Sequence, residues 1–124
     1  RCRATFTTGR DGKYWFKSIK PFYYPVPNDG PVGDMLRAMG RHPNRPGHTH
    51  FIVRAPGHKT IVTHLFPSDS PYLDSDTVFG VKEGLIVDFI RHEPGVAPTG
   101  EKVDVPFYTC EYPFQLAPLE AIKA

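Results

Sequence analysis

Proline and glycine divide this chain into short pieces, and this division limits its possible folds more than any other feature. The 124 residues include 14 prolines and 11 glycines, and both residue types end or bend helices and central strands. The pieces between them are rich in aromatic and β-branched residues, which favour strands. We therefore expect one domain over residues 1–124, all-β, folded as an antiparallel β-sandwich with one short helix.

Six segments carry strand predictions. Residues 4–8 and 13–19 flank a glycine-containing turn and predict a hairpin. The remaining strands are predicted at residues 48–55, 60–66, 84–91 and 105–112, with a turn at Pro56 and Gly57. Apolar residues at helical spacing predict the helix over residues 32–39, closed by Gly40. Residues 21–31 and 93–100 are expected to be loops.

Composition argues against several kinds of partner. Fifteen basic and 13 acidic residues leave a net charge of +2 without a basic stripe, so we expect no nucleic-acid partner. No apolar run approaches the ~18 residues of a membrane span, and residues 1–6 lack a signal-peptide core. We expect no membrane association and a cytoplasmic location. Cys2 and Cys110 have no metal or redox spacing and are expected to be free thiols, a mutual disulfide being the weaker alternative.

His48 and His50 are the first candidates for chemistry. They lie in a segment predicted to be a strand, where side chains two residues apart point to the same face. Neutral imidazole is the commonest protein metal ligand, and two on one strand need only one or two further donors. A metal site is the leading hypothesis. The alternative is one histidine at a wet edge and the other packed against backbone.

A tyrosine of the proline-rich loop is the candidate third donor. Tyr23 and Tyr24 lie in that loop, and Tyr24 is the favoured one. A phenol has an ordinary pKa near ~10, but a bound trivalent cation strongly favours the phenolate. That hard anionic oxygen suits ferric iron. The alternative is that both are loop aromatics with their hydroxyls in water.

Long stretches of the chain resemble the catalytic β domain of the intradiol ring-cleavage dioxygenases, most closely the hydroxyquinol 1,2-dioxygenase branch. The matching residues are 8–16, 24–33, 40–51, 63–66 and 71–80. The resemblance implies non-haem Fe(III) held by two tyrosines and two histidines, and Tyr24, His48 and His50 match three of those positions. It also implies that Arg45 stabilises negative charge on the substrate ring, a task suited to a permanently charged guanidinium.

The resemblance implies roles for further residues around the metal. His64 stands where many relatives carry glutamine; it favours the hydroxyquinol branch and would be a catalytic donor near the iron-bound hydroxide, or else a satisfied core histidine. Val26, Pro27 and Val78 match positions that, with Arg45, flank the substrate. Gly47 stands where alanine is usual and is expected to add backbone freedom.

The implied reaction is cleavage of hydroxyquinol (1,2,4-trihydroxybenzene) by O2 to maleylacetate (3-hydroxy-cis,cis-muconate), in the catabolism of aromatic compounds. By position, Tyr24 would be a metal ligand first and the base for a substrate proton later. Catechol or a chlorocatechol are the alternative substrates. Whichever applies, the implied partners are a small catechol-type molecule and O2.

The family's fourth ligand, a tyrosine, lies upstream of the position that matches Arg1. The family's first strands and the helical interface of its homodimer also lie upstream. We therefore expect residues 1–124 to be part of such a catalytic domain, with Tyr14, Tyr72, Tyr108 and Tyr112 as less favoured substitutes for the fourth ligand. One alternative is a non-catalytic β-sandwich. Another is a Zn(II) or Fe(II) site in which Asp74 or Asp76 joins the two histidines.

Overall fold

A computed structural model describes residues 3–122 of the chain. The strands are β1 (Tyr24–Pro25), β2 (Asn44–Arg45), β3 (Thr49–Val53), β4 (Ile61–Pro67), β5 (Ile86–Val87), β6 (Ile90–His92), β7 (Gly95–Val96), β8 (Lys102–Val103) and β9 (Phe107–Thr109). The helices are α1 (Pro31–Ala38) and α2 (Leu119–Ile122), and a 3-10 turn spans Glu83–Leu85. The predicted all-β class is confirmed.

The strands form four small sheets. β3, β4 and β5 make the largest sheet, and β1 pairs with β2, β6 with β9, and β7 with β8. All pairs are antiparallel except β4 and β5, which run parallel. A parallel pair needs a long crossover, and residues 68–85 supply one. The largest sheet therefore departs from the purely antiparallel arrangement that was expected.

Of the six predicted strands, two are confirmed closely, one is confirmed as a shorter strand, and three need correction. The segment 48–55 contains β3, the segment 60–66 matches β4 to within one residue at each end, and the segment 105–112 contains the shorter β9. The single strand predicted at 84–91 is wrong, because Val87 pairs with Pro67 while Ile90 pairs with Thr109 of another sheet. The chain leaves one sheet and enters the next between these residues.

The predicted N-terminal hairpin is also wrong, because its two arms do not form a β-ladder. Its turn is present, with the Gly12 amide donating to the Gly9 carbonyl at 3.0 Å, but residues 3–19 contain no strand. Phe6 and Phe16 stack with their ring centroids 5.6 Å apart, so side chains hold the two arms together. An isolated two-stranded hairpin is marginal in water, and in the described structure no strand pairs with these exposed residues. Phe16 contacts a strand through its ring, which lies 6.1 Å from that of Phe51 in β3, measured between centroids.

Helix α1 confirms the predicted helix and its end. The Gly40 amide donates to Arg37 O at 3.0 Å, and the Arg41 amide donates to Leu36 O at 2.8 Å. Together they form a Schellman motif, which requires a left-handed residue, and Gly40 has φ +66°. In residues 3–122 no helix has the length and apolar character to cross a bilayer.

The structure describes one of the two cysteines. Cys110 is an exposed free thiol, and Cys2 lies outside the described residues.

The core lies under the largest sheet. Phe66 of β4 is fully buried, and Leu65, Leu36 and Val87 are at most 8% exposed. The Phe66 ring lies 5.7 Å from the ring of His48 and 4.7 Å from that of His64, measured between centroids. A fully buried core side chain therefore packs directly against two of the histidines.

Candidate metal centre

Three histidines lie on one face of the largest sheet. The register of β3 and β4 places His50 opposite His64, and His48 precedes His50 by one strand repeat. The ring centroids are 4.7 Å apart for His48 and His50, 5.5 Å for His50 and His64, and 5.7 Å for His48 and His64. Strand alternation thus brings the two candidate ligands together, and cross-strand pairing adds a third imidazole.

Local backbone fixes which nitrogen of His48 faces outward. Its Nδ1 lies 2.9 Å from the carbonyl oxygen of Pro46, and because a carbonyl only accepts, the proton sits on Nδ1. Nε2 therefore keeps its lone pair. It faces the Tyr24 hydroxyl and Arg45 Nη1, each 3.4 Å away. A histidine anchored to backbone through one nitrogen and free at the other is arranged as a metal ligand.

Tyr24 is brought to this point by the short ladder between β1 and β2. Tyr24 pairs with Arg45 in that ladder, so phenol, guanidinium and His48 imidazole converge. The Tyr24 side chain is 44% exposed. Tyr23 packs instead on Phe22 and Tyr72, with centroids 4.4 and 5.1 Å apart. The loop therefore presents Tyr24 to the histidines and uses Tyr23 for packing.

Four other tyrosines contact parts of the domain away from His48, His50 and His64. The Tyr14 hydroxyl donates to the Tyr112 carbonyl at 2.6 Å, and the Tyr112 hydroxyl donates to the Gly84 carbonyl at 3.4 Å. Tyr72 packs against His42, and Tyr108 lies under Lys20. The structure gives no support to any of them as a substitute fourth ligand.

His64 is held by a loop carbonyl. Its Nε2 donates to Gly80 O at 3.2 Å, and its ring packs edge-on against Phe66. The Nε2 proton that His64 would need to donate to an iron-bound hydroxide is therefore already donated to the Gly80 carbonyl. His64 is part of the same cluster as the candidate ligands, but it faces the loop of residues 71–80.

Arg45 is held by a buried carboxylate that the sequence did not connect with it. Arg45 Nε donates to Asp76 Oδ1 at 3.1 Å, and Nη2 donates to Oδ2 at 3.2 Å. Asp76 is only 3% exposed, and its carboxylate also accepts the Val78 and Gly80 amides at 3.3 and 2.9 Å. The two-pronged pair fixes the guanidinium plane, as bidentate carboxylate pairs do.

This arrangement removes the support for the Zn(II) or Fe(II) alternative. Both oxygens of Asp76 are bonded to Arg45 and to amides, and Asp74 is exposed on an open depression beside Arg41. Within residues 3–122 no group of three or more His, Cys, Asp or Glu side chains is arranged to hold a metal. The order Asp-Thr-Val-Phe-Gly could have indicated that Asp76 binds local backbone amides and not a metal, because an Asp side chain often accepts the amide two residues on.

The three residues expected to flank a substrate lie on the segments that position Tyr24 and Arg45. The half-buried Val26 donates its amide to Pro43 O at 2.9 Å and so extends the β1–β2 pairing, with the exposed Pro27 next. Val78 is half exposed, and its amide is bound to Asp76. Each is thus attached to an element that also holds Tyr24 or Arg45.

Gly47 is required by close approach, and the expectation of backbone freedom is wrong. The described residues with positive φ do not include Gly47. A Cβ at this position would lie 2.8 Å from the carbonyl carbon and oxygen of Pro21 and 2.9 Å from Phe22 N. The Gly47 amide also donates to Ser70 Oγ at 2.8 Å. The chain entering His48 is therefore clamped between two loops.

We expect Gly47→Ala to destabilise the domain by about 1–3 kcal/mol, because backbone on both sides must shift to admit the methyl group. Gly84→Ala is the matched control, since nothing lies within 4 Å of its added Cβ. Urea unfolding of both variants measures the difference. Equal free energies of unfolding for the two variants would contradict the close approach.

The Arg45–Asp76 pair also predicts a pH dependence of stability. Burial opposes the charged carboxylate, but the Arg45 bonds and the Gly80 and Val78 amides outweigh it and lower the pKa of Asp76. Because the folded-state pKa lies below that of the unfolded chain, the pair stabilises fully above about pH 4, and its contribution is lost as pH falls further. Urea midpoints should decline on acidification more steeply for the parent protein than for Asp76→Asn. Asp69→Asn, which breaks only an exposed pair with Lys20, should keep the parent slope.

Comparison with known proteins gives consistent matches. A family model described as Dioxygenase matches residues 2–117. Hydroxyquinol 1,2-dioxygenase of Rhizobium sp. (strain MTP-10005) is 63% identical over 91 residues, covering 73% of this chain and 31% of that protein. Hydroxyquinol 1,2-dioxygenase of Nocardioides simplex is 48% identical over 118 residues, covering 94% of this chain and 40% of that protein.

A solved structure extends this likeness to the fold. The crystal structure of hydroxyquinol 1,2-dioxygenase from Pseudomonas putida DLL-E4 superposes with a TM-score of 0.72 at 46% sequence identity, covering 80% of this chain and 35% of that one. The chain spans between 31% and 40% of the length of the two relatives above. The similarity therefore concerns one part of larger proteins.

Proposed function

Because this chain belongs to the intradiol ring-cleavage dioxygenase family, we propose that it forms the iron-binding part of an enzyme that opens the ring of hydroxyquinol. The reaction uses O2 and gives 3-hydroxy-cis,cis-muconate, that is, maleylacetate. The convergence of the Tyr24 hydroxyl with His48 Nε2, beside His50, carries the proposal. The relatives named hydroxyquinol 1,2-dioxygenase support the choice of substrate, and catechol and chlorocatechols are the competing substrates.

The donors present fit ferric iron. A phenol oxygen and two imidazole nitrogens are a hard and borderline set of the kind that suits this ion. His48 offers an unprotonated Nε2 because its proton is held at Nδ1 by Pro46. Tyr24, His48 and His50 would hold the ion. When bound, Fe(III) supplies a Lewis acid that a deprotonated catechol can chelate and that prepares the ring for O2.

Each remaining residue has a role that follows from its position. Tyr24 lies half exposed at the open side of the cluster, where its phenolate oxygen can accept a proton from a substrate hydroxyl. Arg45 presents Nη1 to the same space, 3.4 Å from His48 Nε2. There its charge favours the substrate anion over the neutral molecule. Val26, Pro27 and Val78 would supply apolar contact to the flat ring.

The first test is the visible spectrum and iron content of the purified full-length protein, before and after adding hydroxyquinol without O2. We expect a broad phenolate-to-iron band that shifts on substrate addition. Tyr24→Phe should change or remove the band, and Tyr23→Phe, which alters only a packed neighbour, should leave it intact.

Oxygen uptake then separates the competing substrates. The proposal predicts a higher kcat/KM for hydroxyquinol than for catechol or 4-chlorocatechol. A protein that is colourless, free of iron and inactive after iron loading would contradict the catalytic proposal and favour a non-catalytic β-sandwich.

A further inference from the structure

We propose that Asp76 is a positioning residue that sets the guanidinium of Arg45 for contact with the anionic substrate. The inference rests on the proposed function, since it assigns the device that orients one group of that site. Asp76 itself does not touch the substrate. Its effect is transmitted through Arg45.

The ion pair with Asp76 uses one edge of the Arg45 guanidinium and leaves the other edge free. Asp76 accepts from Nε and Nη2, and Nη1 is left facing His48 Nε2 at 3.4 Å. An arginine side chain has several rotatable bonds, so an exposed one samples many directions. Here the Arg45 side chain is 11% exposed and that of Asp76 is 2% exposed. One edge is therefore anchored, and the other is presented to the histidine face.

The Asp76 carboxylate is itself held in place by hydrogen bonds within the loop of residues 71–80. The Asp76 carboxylate accepts the Val78 and Gly80 amides. The Asp76 and Thr77 carbonyls accept from Arg41 at 3.0 and 3.2 Å. The Thr77 amide donates to the carbonyl of Asn44, the residue before Arg45, at 3.3 Å. The segment that carries the carboxylate is thus tied to Arg41 and Asn44, in the stretch of chain just before the arginine that it orients.

The same carboxylate connects Arg45 to two other residues of the proposed site. Val78, a candidate wall of the substrate pocket, is bound to Asp76 through its amide. Gly80, bound to the same carboxylate, accepts from His64 Nε2. The charge of Asp76 is thus directed at Arg45, and Val78 and His64 are connected to the carboxylate only through backbone groups.

Gly80 provides an independent steric probe of this junction. A Cβ on Gly80 would lie 2.9 Å from Arg45 Nη2, 3.1 Å from Asp76 Oδ2 and 3.5 Å from His64 Nε2. Gly80→Ala therefore pushes the ion pair apart while keeping both charges. Because Arg45 Nη2 and Asp76 Oδ2 are mutually bonded, neither can yield without weakening the pair.

The experiment is a double-mutant cycle in the iron-loaded full-length protein, with Asp76→Asn, Arg45→Gln and the double variant. We expect Asp76→Asn to lower kcat/KM for hydroxyquinol by about 10- to 100-fold, the cost typical of losing a partner that orients a functional group. The ferric visible band of the resting protein should be unchanged. In the Arg45→Gln background, Asp76→Asn should have no further effect on kcat/KM, because its action passes through the arginine.

Two further variants and one binding measurement complete the test. Gly80→Ala should reproduce the loss in kcat/KM, and it keeps the test available where Asp76→Asn fails to fold. Asp69→Asn, which removes an exposed carboxylate partner of Lys20, should behave as the parent protein. Anaerobic titration with 4-nitrocatechol should show weaker binding of this anionic probe to Asp76→Asn and Gly80→Ala than to Asp69→Asn.

The outcomes separate the two proposals. A parent protein without a ferric band or hydroxyquinol cleavage would overturn the proposed function and this inference with it. An active parent whose Asp76→Asn and Gly80→Ala variants match Asp69→Asn in kcat/KM and probe binding would overturn the inference alone. Additive effects of the Asp76 and Arg45 substitutions on kcat/KM would likewise refute transmission through Arg45.

Discussion

His48→Ala is expected to release iron from the full-length protein and to abolish its visible band. His48 is the residue whose Nε2 lone pair faces the Tyr24 hydroxyl. Its Nδ1 is bonded to the Pro46 carbonyl, and its ring packs against Phe66. Loss of a partner that merely orients a ligand costs about 10- to 100-fold in metal affinity. Loss of the ligand itself should cost more than about 100-fold. Iron content after dialysis against a weak chelator measures it directly.

The chain contains a matched control for this substitution. His58 follows a Pro-Gly dipeptide, as His48 does. Its Nδ1 makes the corresponding local contact, with Pro56 O at 2.8 Å. His58 is exposed, and its known contacts lie away from the histidine face. His58→Ala should retain full iron content and colour. Retention of iron and of the visible band by His48→Ala would show that the ion is held elsewhere.

Arg45→Gln is expected to have the second large effect, in two separable ways. Removing the guanidinium leaves the buried Asp76 without its partner, which should lower the free energy of unfolding by about 3–5 kcal/mol. Removing a charge that is aimed at the substrate anion should lower kcat/KM by about 100- to 1,000-fold. Urea unfolding and steady-state kinetics measure the two effects on the same preparation.

The double variant with Asp76→Asn separates stability from catalysis. It removes both buried charges, so it should recover most of the lost stability while kcat/KM remains low. Arg91→Gln is the control, because Arg91 pairs with Glu93 on the exposed surface. Exposed pairs contribute little to stability, so this variant should match the parent in both measurements. Recovery of activity in the double variant would rule out a direct role for Arg45.

Sequence pattern predicted the features that depend on near neighbours along the chain. Helix α1 ends just before Gly40, because a left-handed residue completes its final hydrogen bonds. His48 and His50 share a face because strand side chains alternate. Tyr24 was a candidate from its place in the proline-rich loop, the resemblance added Arg45, and the structure places both beside His48. These assignments as ligands and substrate contacts stay predictions.

Only the tertiary structure decided the features that depend on distant segments. Asp76 is 31 residues from Arg45 along the chain, and in the sequence it was a candidate metal ligand. The strand expected at 84–91 is divided between two sheets, and the hairpin expected at residues 4–19 is without a ladder. Local propensity fixes what a segment can form, because it depends on sterics between adjacent residues. Which carboxylate meets which guanidinium, and which strand finds a partner, depends on chain closure and burial over the whole domain.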